Sequence, residues 1–148
     1  APPAASAAAD CGALGGSILG RHMTFIPRVH LARELAAGGA TAMIDLSDGL
    51  ARDLRHICDE SGVSAILDAG AIPIHADAIE LSTRDQNSPF DHAINDGEDY
   101  ELLFTAPKPP AQYAVRIGTI TEKREILLRQ IDGDLRPLAN GGWDHLLG

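Results

Sequence analysis

The residues whose types and spacing best fit chemistry lie in the segment Asp45-Leu46-Ser47-Asp48-Gly49. Two carboxylates and a hydroxyl follow a short apolar run and precede a helical pattern, and α/β folds bind ligands where strands end. Magnesium at phosphoryl-transfer sites takes one or two carboxylates together with substrate phosphates, so Asp45 and Asp48 are candidate metal ligands. A helix start offers unpaired N–H groups to phosphate, and Ser47 could donate to a phosphate oxygen. The alternative is that Ser47 or Asp48 merely caps the helix.

A second acidic segment, Asp96-Gly97-Glu98-Asp99-Tyr100-Glu101, leads into an apolar strand pattern. Four acids in six residues are costly unless they are solvated, paired or bound to cations. Gly97 indicates an unusual backbone turn. The residues alone leave two interpretations open, a charged surface loop or a second part of a cation-dependent site.

The third segment is Gly141-Gly142-Trp143-Asp144-His145, which holds the only tryptophan. Trp143 is either a ring platform for a ligand or a plug at the edge of the core. The six histidines show no metal-ligand spacing, and the sequence has no Ser/His/Asp triad and no Walker A loop. We therefore assign no residue to covalent catalysis.

The elements that must position these segments follow from apolar periodicity. The pattern predicts helices over residues 29–37 and 50–61, shorter helical pieces within 73–81 and 90–94, and strands over 41–44, 64–67, 101–105 and 115–120. Residues 126–131 and 135–138 flank Asp132-Gly133 and predict a hairpin. Together they predict an α+β fold in which helices pack on a mixed β-sheet.

Composition limits the classes of partner and the domain plan. The 148 residues suffice for one domain, and the net charge of -9 repels nucleic acids and anionic membranes, so we expect neither as a partner. Cys11 and Cys58 form no C-x-x-C pair, which favours a reducing, cytoplasmic setting. We predict a disordered leader over residues 1–11, a Gly-rich connector over 12–28 and the folded domain over 29–148.

These segments, taken together, resemble the signatures of thiamine-monophosphate kinases. Residues 42–50 followed by Asp53-Leu54 look like the signature of that family's carboxyl-terminal domain, and residues 98–102 resemble its second signature. Shorter likenesses are Pro27-Arg28, Gly15-Gly16-Ser17 and the closing Trp143-Asp144-His145. The family is related to aminoimidazole ribonucleotide synthase and selenophosphate synthetase. The resemblance thus implies the fold of the synthase's carboxyl-terminal domain.

The resemblance also implies a reaction and a role for each site residue. The family transfers the γ-phosphate of ATP to thiamine monophosphate, giving thiamine diphosphate, and it uses several Mg²⁺ ions. By resemblance Asp45 and Asp48 hold Mg²⁺, Ser47 contacts ATP, and Glu98 and Trp143 contact thiamine monophosphate, with the indole stacking on a cationic ring. In-line transfer of this kind depends on positioning and on the metal charge. The full-length enzyme is expected to be a homodimer.

Two features depart from the family pattern. The family usually has two glycines before the glutamate of its second signature, whereas Asn95-Asp96 here precede the single Gly97. The family's amino-terminal domain, which carries most of its magnesium aspartates, is missing from this sequence, so we expect a half-site that is inactive alone. The alternatives are another ATP-dependent synthase or maturation factor of the same superfamily, or a non-catalytic ligand-binding module.

Overall fold

The computed structural model describes residues 26–108, 114–123 and 125–141. The predicted leader, most of the predicted connector and Trp143 lie outside these residues. In chain order the elements are α1 (Val29–Ala37), β1 (Ala42–Asp45), α2 (Leu50–Ser61), β2 (Ser64–Asp68), a 3-10 turn (Ala69–Ala71), α3 (Ala76–Ser82), α4 (Pro89–Asn95), β3 (Leu102–Thr105), β4 (Gly118–Thr121), β5 (Leu127–Arg129) and β6 (Leu135–Pro137).

The two longer helices have the bounds that the sequence predicts. In α2 the apolar residues Leu50, Leu54, Ile57 and Cys58 recur at helical spacing, and all four are buried. Gly62 ends this helix in the left-handed region, at φ 64°. The shorter α4 begins at a capping box between Ser88 and Asp91, with Pro89 in its first turn.

Among the described residues the strands form two sheets, and this division is not visible in the sequence pattern. One is four-stranded in the order β4-β2-β5-β6, and the other is the antiparallel pair β1-β3. Strand β2 pairs antiparallel with β4 and parallel with β5, so the larger sheet is mixed, as predicted. Strands β5 and β6 pair antiparallel, which confirms the predicted hairpin, and Gly133 takes φ 92° in its turn.

The core lies between the helices and the two sheets. Helix α2 contacts β1, β2, β3 and α4, and its buried face supplies much of the core cluster. Cys58 is one of these buried residues, as predicted for a small core side chain. Burying one leucine of this face stabilises the fold by about 1.5–3 kcal/mol. This packing fixes the start of α2 relative to the end of β1.

Within the described part of the chain, none of the helices combines the length and the apolar character that a membrane span needs.

Candidate functional site

The loop of residues 45–49 connects the end of β1 to the start of α2. Gly49 occupies the N-cap position at φ 100°, and no side chain caps the helix. The interpretation of Ser47 or Asp48 as a simple cap is therefore wrong. The N–H groups of Ser47 and Asp48 instead donate to Oδ2 of Asp53, over 2.9 Å and 3.1 Å.

Asp53 is the site residue whose role the sequence did not reveal. Its side chain is buried although it is charged, with 1% of its surface exposed. Burial raises the pKa of this carboxyl, the amides of Asp48 and Ser47 lower it, and the Asp48 charge adds to the rise. The sequence held two signals, an acid on the apolar face of α2 and the place of Asp53 in the first kinase-like signature. Asp53 thus fixes the loop backbone, and the Ser47 and Asp45 side chains are left exposed.

Three potential metal-binding side chains lie close together at the start of α2. The ligand atoms of Asp48, Asp53 and His56 all lie within 4.8 Å of one another. Nε of Arg52 lies 3.5 Å from Oδ2 of Asp48 and partly balances this charge. Asp45, the other predicted metal ligand, stands at the exposed end of β1.

The second acidic segment is hydrogen-bonded directly to the first. Leu46 donates its N–H to the Glu101 carbonyl over 2.8 Å and accepts from the Tyr100 N–H over 2.8 Å. The Glu98 N–H donates to the Ser47 carbonyl over 2.9 Å. These bonds continue the β1-β3 ladder, whose register pairs Asp45 with Leu102. The two predicted site segments, distant along the chain, therefore form one surface.

Two glycines allow this close approach of the backbones. A Cβ on Gly97 would lie 2.2 Å from the Ser47 carbonyl oxygen. A Cβ on Gly49 would lie 2.7 Å from the Asn95 carbonyl oxygen, and the φ of 100° at Gly49 also disfavours any side chain. The glycine in each acidic segment is thus required by contact with the other segment or with the end of α4.

Glu98 and Tyr100 both have left-handed backbone conformations, with φ 65° and φ 52°. Such conformations cost about 1–3 kcal/mol each at a non-glycine residue, and they cluster at functional sites because the surrounding structure must impose them. The hydrogen bonds to the 45–49 loop impose them here. The exposed side chain of Glu98 is therefore carried on a fixed backbone.

A shallow pocket of about 230 Å³ lies beside Asp45. Arg28 lines this pocket, and its Nη2 and Nε donate to the two carboxylate oxygens of Glu101 over 2.9 Å and 3.3 Å. The other lining residues lie in or just before the start of α1 and in or just before β3: Pro27, Val29, Ala32, Tyr100 and Leu102. The residues before α1 thus contribute to the same surface.

The segment that leads toward Trp143 reaches the site as well. Nη2 of Arg55 donates to the Leu138 and Ala139 carbonyls over 2.6 Å and 3.0 Å. A Cβ on Gly141 would coincide with the Asn95 carboxamide, 1.6 Å from Oδ1, so the backbone there lies directly on the last residue of α4. Trp143 itself lies outside the described residues, and both interpretations of it stay predictions.

Asp96, the departure from the family pattern, has a definite partner. Its Oδ2 lies 2.8 Å from Nδ1 of His92, one turn earlier in α4. Nε2 of His92 lies 3.2 Å from Oδ2 of Asp85. The additional carboxylate beside Glu98 is therefore engaged with a histidine of α4.

Comparison with known proteins identifies the relatives of this chain. No family model matches it. The thiamine-monophosphate kinase of Rhodopirellula baltica is 42% identical over 102 residues, which are 68% of this chain and 32% of the kinase. That of Halobacterium salinarum is 37% identical over 130 residues, 82% of this chain and 42% of the kinase. This chain is a relative of the thiamine-monophosphate kinases. It spans less than half the length of these curated relatives and corresponds to their carboxyl-terminal part.

Solved structures agree with this relationship. AaThiL, complexed with AMPPCP and TMP, superposes with a TM-score of 0.68 at 27% identity, covering 84% of this chain and 40% of that protein. The hydrogenase maturation protein HypE of E. coli has a TM-score of 0.63 over 80% of this chain and 41% of its own, at 15% identity, and so shares the fold alone. The α+β fold, related to that of aminoimidazole ribonucleotide synthase, is confirmed, and sequence identity favours the kinases.

Proposed function

We propose that this chain forms the carboxyl-terminal half of an ATP-dependent thiamine-monophosphate kinase site and carries its substrate-binding side. The observation that supports this most is the set of backbone hydrogen bonds that join the 45–49 loop to residues 98–101. Those two segments are the ones that resemble the kinase signatures. A related protein, AaThiL, has been solved with a nucleotide analogue and TMP together.

The residues of the 45–49 loop fit Mg²⁺. Asp45 offers an exposed carboxylate, and Asp48 offers one that lies beside the desolvated carboxylate of Asp53. Hard oxygen donors of this kind suit magnesium, and a cation would relieve the repulsion between Asp48 and Asp53. Asp45 and Asp48 would hold the ion. When bound, Mg²⁺ would neutralise charge on the phosphates of ATP during transfer.

Three further residues of the chain would bind and orient the two substrates. Ser47 presents an exposed hydroxyl before the start of α2, where unpaired N–H groups and the helix dipole favour phosphate. Glu98 places a carboxylate on a fixed backbone, where it attracts the cationic thiazolium of thiamine monophosphate. Trp143 would stack on that ring. In the transfer, the bond between the γ-phosphorus and its bridging oxygen breaks, a terminal oxygen of thiamine monophosphate bonds to that phosphorus, and ADP leaves.

The wider features of the kinase are part of the same proposal. Residues 12–28 would connect to the amino-terminal half, with residues 29–148 as the domain, and the complete enzyme would be a homodimer in a cytoplasmic setting. The unpaired thiol of Cys58 is compatible with a reducing compartment. We expect no kinase turnover from this chain without the other half of the site.

Calorimetric titration of the folded chain tests the proposal, first with thiamine monophosphate and then with MgATP. Glu98→Gln should weaken binding of thiamine monophosphate about 10- to 100-fold, the loss expected for one charge-assisted contact. Glu60→Gln is the matched control, because Glu60 is exposed near the far end of α2. Failure of the folded wild-type chain to bind thiamine monophosphate would overturn the proposed substrate side.

Asp45→Asn tests the metal role in the same assay, with Asp59→Asn as the matched control on the exposed end of α2. The expected result is that MgATP binding weakens while binding of thiamine monophosphate is retained. Equal nucleotide affinity in Asp45→Asn and in the control would remove Asp45 from the metal site.

A further inference from the structure

The side chain of His92 lies between two carboxylates. Only 5% of the His92 side chain is exposed, and its two ring nitrogens face Asp96 at 2.8 Å and Asp85 at 3.2 Å. Ionised carboxylates only accept hydrogen bonds, and a neutral imidazole has one N–H to donate. Both contacts are therefore hydrogen bonds at the same time only when His92 is an imidazolium.

The charges around His92 favour that form. Burial lowers the pKa of His92, but the hydrogen bonds and charges of Asp96 and Asp85 outweigh burial, and the pKa is raised overall. The amide of Asn87 and the imidazole lower the pKa of Asp85. His92 also lowers the pKa of Asp91, which is engaged mainly with Ser88 in the capping box.

Several charged residues on the helices that pack against α4 have partners other than His92, whereas His56, Asp59 and Glu60 of α2 are exposed. Helices α2 and α3 make these contacts. On α3, Asp77 lies against His75, and Glu80 pairs with Arg84. On α2, Arg52 lies near Asp48, Asp53 accepts from the Ser47 and Asp48 amides, and Arg55 donates to the Leu138 and Ala139 carbonyls.

The pair between His92 and Asp96 lies directly before the proposed substrate residue. Asp96 donates its N–H to the His92 carbonyl over 3.0 Å, so backbone and side chain both hold the end of α4. Gly97 then lies against the Ser47 carbonyl, and Glu98 enters its left-handed conformation. The position of Asp96 sets the point from which the chain enters that turn.

We propose that His92, held between Asp85 and Asp96, is a positioning residue that fixes the backbone of residues 97–98 and makes the presentation of Glu98 depend on pH. The effect on ligand binding rests on the proposed function, whereas the effect on the backbone does not. A folded-state pKa above the ordinary value of 6.5 means that the ion pairs stabilise the fold below pH 6.5. That contribution is lost as the pH rises through the raised pKa.

The test starts without ligand, by nuclear magnetic resonance of the chain across this pH range. The imidazole of His92 should titrate above 6.5, and the amide signals of Gly97 and Glu98 should shift with the same midpoint. In His92→Gln that shared transition should be lost, and in Asp85→Asn the midpoint should move down. His75→Gln is the matched control, because His75 is an exposed histidine that caps α3, and it should leave the transition unchanged.

Asp96→Asn covers the case in which His92→Gln fails to fold, since it keeps the imidazole and removes one carboxylate charge. It too should lower the His92 midpoint, and it should weaken the pH-dependent shift of the Gly97 and Glu98 amides, because the carboxylate that links His92 to that backbone loses its charge. If the amide signals of Gly97 and Glu98 in the wild-type chain do not change as His92 titrates, the inference is overturned. A role of His92 confined to stabilising α4 would give that result.

Calorimetry with thiamine monophosphate then separates the two proposals. As the pH rises through the transition, the affinity of the wild-type chain for thiamine monophosphate should fall about 2- to 10-fold more than that of His92→Gln. This is the loss expected for one net hydrogen bond. The variant also corrects for titration of the ligand's own phosphate. If the Gly97 and Glu98 amides shift with His92 but the chain does not bind thiamine monophosphate, the result supports the positioning role and rejects the proposed function. Binding that is equally pH-dependent in both proteins would overturn the inference and leave the proposed function standing.

Discussion

Gly97→Ala tests the contact that joins the two acidic segments. The new Cβ would lie 2.2 Å from the Ser47 carbonyl oxygen, well inside the 3.0 Å limit that real Cβ atoms observe. The backbone of one of the two segments would have to move, because the neighbouring atom is a backbone carbonyl oxygen and not the end of a side chain that could rotate away. Overpacking of this kind costs about 1–3 kcal/mol. Loss of the hydrogen bond from Glu98 to Ser47 adds about 1 kcal/mol.

The expected loss in the free energy of unfolding is therefore about 2–4 kcal/mol, measured by urea denaturation followed by circular dichroism. The melting temperature should fall by about 6 to 15 °C for a chain of this size. Gly70→Ala is the matched control, because a Cβ on Gly70 would meet nothing within 4 Å. If Gly97→Ala proves as stable as Gly70→Ala, the two segments are not in contact as described, and the proposed site loses its basis.

Three further predictions concern the core, a buried acid and a surface ion pair. Leu54→Ala should lower the free energy of unfolding by about 2–5 kcal/mol, because Leu54 is 3% exposed, whereas Leu135→Ala, at 45% exposed, should cost under about 1 kcal/mol in the same urea titration. The raised pKa of Asp53 means that its ionisation favours the unfolded state, so stability should fall as the pH rises from 3.8 through the folded-state pKa. In thermal melts measured at a series of pH values, Asp53→Asn should remove this dependence on pH. Arg28→Lys should lose the bidentate contact with Glu101 and lower the free energy of unfolding by about 0–1 kcal/mol. If this loss stays the same when salt is added, the result contradicts the ion pair.

Local sequence determined the helices and the closing hairpin. The apolar residues of α2 recur at helical spacing, and Gly62 follows at the point where a left-handed residue must end the helix. Gly133 likewise takes a positive φ in the turn where the sequence places it. Such features are predictable because each depends on residues only a few positions apart, whose types record the period and the turn.

The sequence marked candidate site residues, and it did not show how the fold assembles them. The sequence marked Asp45, Ser47, Asp48 and Glu98 as separate groups, and the fold brings their segments together through backbone hydrogen bonds. Bonds between backbone atoms leave almost no trace in residue types. Trp143 lies outside the described residues, so its place in the site stays a prediction.

Only the tertiary structure decided which strands pair and what each buried charge contacts. The pairing of β1 with β3 joins residues 42–45 to 102–105, a separation over which periodicity carries no information. The same pairing makes Gly97 obligatory and imposes the left-handed backbone of Glu98. The partners of Asp53 and Asp96 also emerged only from the fold, because an acid in a sequence shows that a charge must be satisfied and does not show by which group.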